Sequence, residues 1–161
     1  MTRPSSVFIV EDEAIIAMEI EDHLRTMGYT FAGRAAHAEQ ALVRIPDLKP
    51  DVVLVDVNLG AGMSGTELTE RLKDVYQVPC IYLTAYSDPE LVERAIKSRS
   101  FAYIVKPFQP ETLRANIEMA LHVRSVERTM HATRAQRALV VPHLGTPAEE
   151  VGPLCSRPPG Q

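Results

Sequence analysis

The sequence predicts a doubly wound α/β fold in which five parallel strands alternate with five helices. Short β-branched runs, V-F-I-V (7–10), V-V-L-V (52–55), I-Y-L (81–83) and Y-I-V (103–105), read as buried parallel strands. The stretches between them carry helical patterns, so the strands are joined by single right-handed crossovers. Each run also ends in polar residues: Glu11 and Asp12, Asp56, Thr84 and Lys106. In an open α/β sheet the carboxyl ends of neighbouring strands converge on one crevice, where ligands bind. Three carboxylates, a hydroxyl and an ammonium therefore share one expected site. That set suits a hard divalent cation and a phosphoryl group.

Each element has its own signals. The first strand covers residues 7–10 and its helix about 13–27, with Ile16, Ile20 and Leu24 on one face. Gly28 stands where a left-handed cap belongs. A second strand around 29–33 precedes a helix at about 37–48. The third strand, 52–55, opens into the loop N-L-G-A-G-M beginning at Asn58. Ser64 followed by Glu67 is a capping box for the third helix. Residues 78–83 form the fourth strand, and Asp88-Pro89-Glu90 starts the fourth helix with an N-cap and a proline at its first position. The fifth strand is 101–105, and Pro110 opens the final helix in the same way.

That last helix carries two stripes. Leu113, Ile117 and Leu121 face the sheet, while Met119, Val123, Val126 and Met130 form a second face with coiled-coil-like spacing. The second stripe outlasts the first, so the helix is expected to run to about Arg134 and to project beyond the domain. From Pro142 onward 8 of 20 residues are Pro or Gly, which argues for an unstructured tail.

Composition bounds the function. A chain of 161 residues holds one full domain plus an appendage, and 45 % apolar with 24 % charged residues is ordinary globular composition. The net charge of −4 divides unevenly: residues 1–122 hold 12 Lys/Arg against 18 Asp/Glu, and residues 123–161 hold 5 against 3. Neither part is a basic stripe, so no nucleic-acid partner is expected. Cys80 and Cys155 are too few for a disulfide framework or a metal knuckle. No apolar run approaches the ~20 residues a membrane helix needs. The start M-T-R-P-S-S leads straight into a strand rather than a signal segment. No membrane partner is expected, and the setting is expected to be cytoplasmic.

Asp56 is the candidate nucleophile, because a carboxylate can accept a phosphoryl group to give an acyl phosphate. Beside it, Glu11 and Asp12 can hold Mg²⁺, which takes oxygen ligands from one or two carboxylates, waters and phosphate. The expected ligands are Asp12 and Asp56 directly, Glu11 through water, and the backbone carbonyl of Asn58. Glu13 belongs to the first helical turn and is left out. Lys106 offers phosphate a point charge, and Thr84 can donate its hydroxyl to a phosphoryl oxygen. An Asp or Thr ending a strand means little alone; their company gives them weight. Tyr103, three residues before Lys106, reads by itself as a half-buried strand aromatic.

Taken together, V-E-D-E, V-L-V-D ending at Asp56, Y-L-T-A-Y around Thr84 and Y-I-V-K-P-F around Lys106 resemble the receiver domain of two-component response regulators. The resemblance covers roughly residues 5–122, and the order of the four motifs is highly specific. It implies a flavodoxin-like sheet of order 2-1-3-4-5 and Mg²⁺-dependent phosphorylation of Asp56 by a histidine kinase or phosphotransfer protein. It also implies that Thr84 and Tyr103 switch together, changing the surface of the fourth helix, fifth strand and fifth helix. It further implies that Lys106 leaves its strand and turns back into the crevice within one residue, so a cis Lys106–Pro107 bond is expected. Two departures stand out. The loop after Asp56 is one residue longer than the family pattern and lacks its proline. The segment K-S-R-S-F-A-Y, from Lys97, lacks the glycines common before the fifth strand.

The leading reading is thus a receiver domain over 1–122, with a helix extension and a Pro/Gly-rich, disordered tail over 123–161. It acts through a downstream protein or self-association, using that surface and the helix extension, since 39 residues hold no typical output domain. Any catalysis is limited to its own phosphorylation and dephosphorylation. The alternative is a Mg²⁺-dependent phosphohydrolase with an Asp nucleophile. Against it, no cap insertion is present, and Asn58 stands where a general acid would follow Asp56.

Overall fold

Period-two alternation along the strands decides the layering, because successive side chains leave opposite faces of a sheet. In the computed structural model, which describes residues 2–85, 89–90, 93, 97 and 102–144, five strands form one parallel sheet. They are β1 (Ser6–Val10), β2 (Thr30–Ala35), β3 (Val52–Asp56), β4 (Cys80–Thr84) and β5 (Ala102–Val105), in the order β2-β1-β3-β4-β5. On one face Phe8, Val10, Val53, Val55 and Tyr82 pack with residues of α2 (Ala38–Leu48) and α3 (Gly65–Tyr76). On the other, Val7, Ile9, Leu54, Ile81 and Leu83 pack with Ile20 and Leu24 of α1 (Ala14–Thr26). Leu113 and Ile117 of the C-terminal helix (Pro110–Leu144) join that second layer. Covering on both faces is why the central strands read as unbroken apolar runs.

Local signals act as expected. Ser64 Oγ accepts the Glu67 amide at 3.2 Å, capping α3, and Gly28 follows α1 with φ +87°. The Lys106–Pro107 bond is cis. β2 runs later than the expected 29–33, because it is the edge strand: Thr30 and Arg34 are exposed, so no apolar run marks its ends. Pro89 and Glu90 are helical. Glu93 and Lys97 are helical too, while the other residues expected in the fourth helix, Asp88 and Phe101 lie outside the described residues.

The chain divides into two compact units, Met1–Arg124 and Ser125–Gln161. In the first, Leu113, Ile117 and Ala120 are buried, while Met119 and Val123 are exposed. Arg124 donates to the Asp51 backbone carbonyl at 2.7 Å, and Asp51 Oδ2 accepts the Ser6 amide at 2.8 Å. The start of β1, the residue before β3 and the C-terminal helix are thereby tied together. Arg124→Ala is expected to lower stability by about 1–3 kcal/mol, the range for losing a hydrogen bond from a charged, mostly buried donor. Urea unfolding with an unchanged m-value checks this; an unshifted midpoint counts against it.

In the second unit, residues 125–144 are helical, with Val126 and Met130 exposed. The helix passes the expected end near Arg134 and includes Pro142, where the tail was expected to begin. The intervening Ala135, Gln136, Arg137, Ala138 and Leu139 are strong helix formers, which explains the longer span. The remaining tail, with Cys155, lies outside the described residues. No helix among the described residues is long and apolar enough to cross a membrane.

Candidate functional site

Strand register aligns the polar strand ends. Val10 pairs with Val55, so Glu11 and Asp56 follow on adjacent strands; Asp56 pairs with Leu83, and Thr84 with Val105. The ladder continues past the apolar runs through Glu11 N–H to Ala35 O (3.0 Å), Val57 N–H to Leu83 O (3.0 Å) and Lys106 N–H to Thr84 O (2.7 Å). These bonds hold rigid backbone under each functional side chain.

Lys106 is the hub. Its Nζ donates to Glu11 Oε2 at 2.5 Å and to Asp56 Oδ2 at 3.0 Å. The other oxygens are also engaged: Asp56 Oδ1 accepts the Asn58 amide at 2.8 Å, and Glu11 Oε1 accepts the Glu13 amide at 3.1 Å. Glu11 and Asp56 are buried, whereas Asp12 is exposed, and one ligand oxygen from each of the three lies within 4.8 Å of the others. Burial pushes the Glu11 carboxyl up to about 7; Lys106 opposes this and Asp56 adds to it. For Lys106, burial favours the neutral amine, but its bonds to Glu11 and Asp56 outweigh that and raise it above the ordinary lysine value. One ammonium thus serves two buried carboxylates beside a third. The remaining negative charge and hard oxygen donors could hold a hard cation.

Of the residues expected at the site, Glu11, Asp12, Asp56 and Lys106 come together, and Asn58 joins them through its backbone amide on Asp56. Thr84 is buried at the end of β4, next to the strand of Asp56. Tyr103 lies on the edge strand β5 with 44 % of its surface exposed, as the reading of a half-buried strand aromatic expects.

Two residues escaped the sequence reading. Gly65 begins α3 against the end of β3: a Cβ there would stand 2.2 Å from the Asp56 backbone oxygen. A glycine inside a first helical turn, where propensity disfavours it, was the available signal. Glu39 on α2 accepts the Met63 amide at 2.9 Å, a contact between residues 24 apart that no local pattern marks.

The profile of the response regulator receiver domain matches residues 7–118. The transcriptional regulatory protein PdtaR of Mycobacterium tuberculosis (strain CDC 1551 / Oshkosh) is 36 % identical over 118 residues, 73 % of this chain and 57 % of that protein. The chain therefore spans little more than half the length of that relative. The chemotaxis protein CheY of Thermotoga maritima is 34 % identical over 105 residues, 65 % of this chain and 87 % of its own. The signal receiver domain of a modulated diguanylate cyclase from Desulfovibrio desulfuricans G20 superimposes with TM-score 0.73 at 35 % identity, covering 77 % of this chain and 98 % of that one. Because the matched span holds every strand end that builds the acidic cluster, the chain belongs to the response regulator receiver family, the signalling switches of two-component systems.

Proposed function

We propose that Asp56 accepts a phosphoryl group from the phosphohistidine of a histidine kinase or phosphotransfer protein, in a Mg²⁺-dependent reaction. The observation that carries this reading is the bridge of Lys106 between Asp56 and Glu11, at 3.0 and 2.5 Å. A carboxylate oxygen of Asp56 forms the bond to phosphorus while the P–N bond of the donor breaks and the imidazole departs. Lys106, already within hydrogen-bond distance of Asp56, is placed to neutralise the incoming phosphoryl oxygens. The Asn58 amide holds the second carboxylate oxygen and keeps the nucleophile oriented.

The donor set fits Mg²⁺, since three carboxylates meet within 4.8 Å and share one ammonium. Asp12 and Asp56 would hold the ion directly, with the Asn58 carbonyl as a further ligand and Glu11 acting through water. When bound, the ion supplies charge neutralisation at the transferring phosphoryl group.

Thr84 binds the phosphoryl group through its hydroxyl, and Thr84 and Tyr103 switch together. Output passes to a downstream protein or a second copy through the surface of the fourth helix, β5 and the C-terminal helix. The exposure of Tyr103, Val105, Met119 and Val123 supports that placement. Turnover is limited to the protein's own phosphorylation and dephosphorylation.

Incubation with acetyl phosphate and Mg²⁺, followed by peptide mass spectrometry, tests the assignment. One phosphoryl adduct on Asp56 is expected, and none in Asp56→Asn. An adduct at another residue, or undiminished labelling of the variant, overturns it.

A further inference from the structure

The loop between β3 and α3 leads directly from Asp56, and its two halves are held differently. Val57 and Leu59 are buried, which anchors the first half. The second half contains Gly60 at φ +73° and Gly62 at φ +101°. Glycine's conformational freedom leaves such a backbone loose unless something restrains it. Beside the partly buried Met63 side chain, which packs against the core, a polar restraint comes from α2. Glu39 Oε1 accepts the Met63 amide at 2.9 Å, and the same oxygen lies 2.9 Å from where a Cβ on Gly62 would stand. The carboxylate therefore rests directly on the loop backbone, in space that a side chain at position 62 would contest. The Met63 amide bond lowers the Glu39 carboxyl below its ordinary value, so at neutral pH the bond is charge-assisted. Nearer the site, a Cβ on Gly60 would lie 3.7 Å from Asp12 Oδ2, so this loop passes beside the acidic cluster.

We propose that Glu39 is a positioning residue that pins the loop after Asp56 beside the acidic site and thereby sets the lifetime of the aspartyl phosphate. This rests on Asp56 being the phosphoacceptor. The phosphoryl group is lost when water attacks phosphorus and the P–O bond to Asp56 breaks. The carboxylate re-forms, and inorganic phosphate leaves with a proton released to solvent. Asn58 and Gly60 lie on the same loop, so its closure governs the approach of that water. Releasing the pin opens the approach.

The full chain is loaded with acetyl phosphate and Mg²⁺, the donor is removed, and phosphoryl loss is followed by intact-protein mass spectrometry. Glu39→Ala is expected to shorten the half-life roughly three- to tenfold, the scale on which losing one solvent-exposed hydrogen bond alters a rate. Glu39→Gln keeps an acceptor oxygen for the Met63 amide and is expected to restore a near-wild-type half-life. Both variants should melt with the wild type, which separates positioning from damage to the fold. A wild-type half-life in Glu39→Ala, or equally fast decay in Glu39→Gln, overturns the proposal while leaving the phosphoacceptor reading intact. Wild-type protein that takes up no phosphoryl group overturns the phosphoacceptor reading, and this proposal falls with it.

Discussion

Gly65→Ala is expected to destabilise the protein by about 3 kcal/mol or more, a melting-temperature loss on the order of 10 °C. The added Cβ would stand 2.2 Å from the Asp56 backbone oxygen and 3.0 Å from Val55 Cγ1. A flexible side chain could move away from such a contact. A backbone carbonyl at the end of a central strand cannot, because Val57 N–H is bonded onward to Leu83 O at 3.0 Å. Either α3 withdraws from the sheet, opening the packing of Leu68 and Leu72, or Asp56 itself shifts. Gly28→Ala is the matched control. Its φ is +87°, but nothing lies within 4 Å of the added Cβ. It carries left-handed strain alone, worth about 1 kcal/mol. Thermal melts followed by circular dichroism compare the two; Gly65→Ala melting with or above Gly28→Ala would contradict the steric account.

Saturating Mg²⁺ is expected to raise the melting temperature of the wild type and to leave Asp12→Ala unmoved. Ligand at a hundredfold its dissociation constant stabilises a fold by about 2.7 kcal/mol when it binds the native state alone, roughly 5–10 °C for a domain of this size. Asp12 is the exposed member of the carboxylate cluster. Removing it takes away a proposed ion ligand without opening a cavity. It also relieves like-charge repulsion on Glu11 and Asp56. The metal-free variant should accordingly be as stable as the wild type, or more so. Melts with Mg²⁺ and with chelator, for both proteins, provide the check. An undiminished Mg²⁺ response in Asp12→Ala would place the cation elsewhere.

The strand ends were legible because leaving a buried strand is a local event: a short apolar run stops and a polar residue follows. Glu11, Asp56, Thr84 and Lys106 all announce themselves in this way. Their convergence then follows from parallel connectivity, which directs every carboxyl end to the same edge of the sheet. β2 was read less well because an edge strand is partly wet, and its Thr30 and Arg34 interrupt the pattern. Pro142 misled for a different reason. The Ala-, Arg- and Gln-rich stretch before it favours helix and carries the element as far as Pro142, which lies in the last turn before the end at Leu144.

By itself, then, the sequence determined the sheet, the order of its helices and which chemical groups stand at the strand ends, because these depend on periodicity and short-range signals. Only the tertiary structure decided how those groups are shared. Lys106 divides itself between Glu11, 95 residues away, and Asp56, 50 residues away. Glu39 reaches across 24 residues to the loop after Asp56, and Gly65 clears space for the Asp56 carbonyl. Each of these is a contact of a few ångströms between distant parts of the chain. Such distances are set by how the helices settle on the sheet, and no local pattern of residues encodes them.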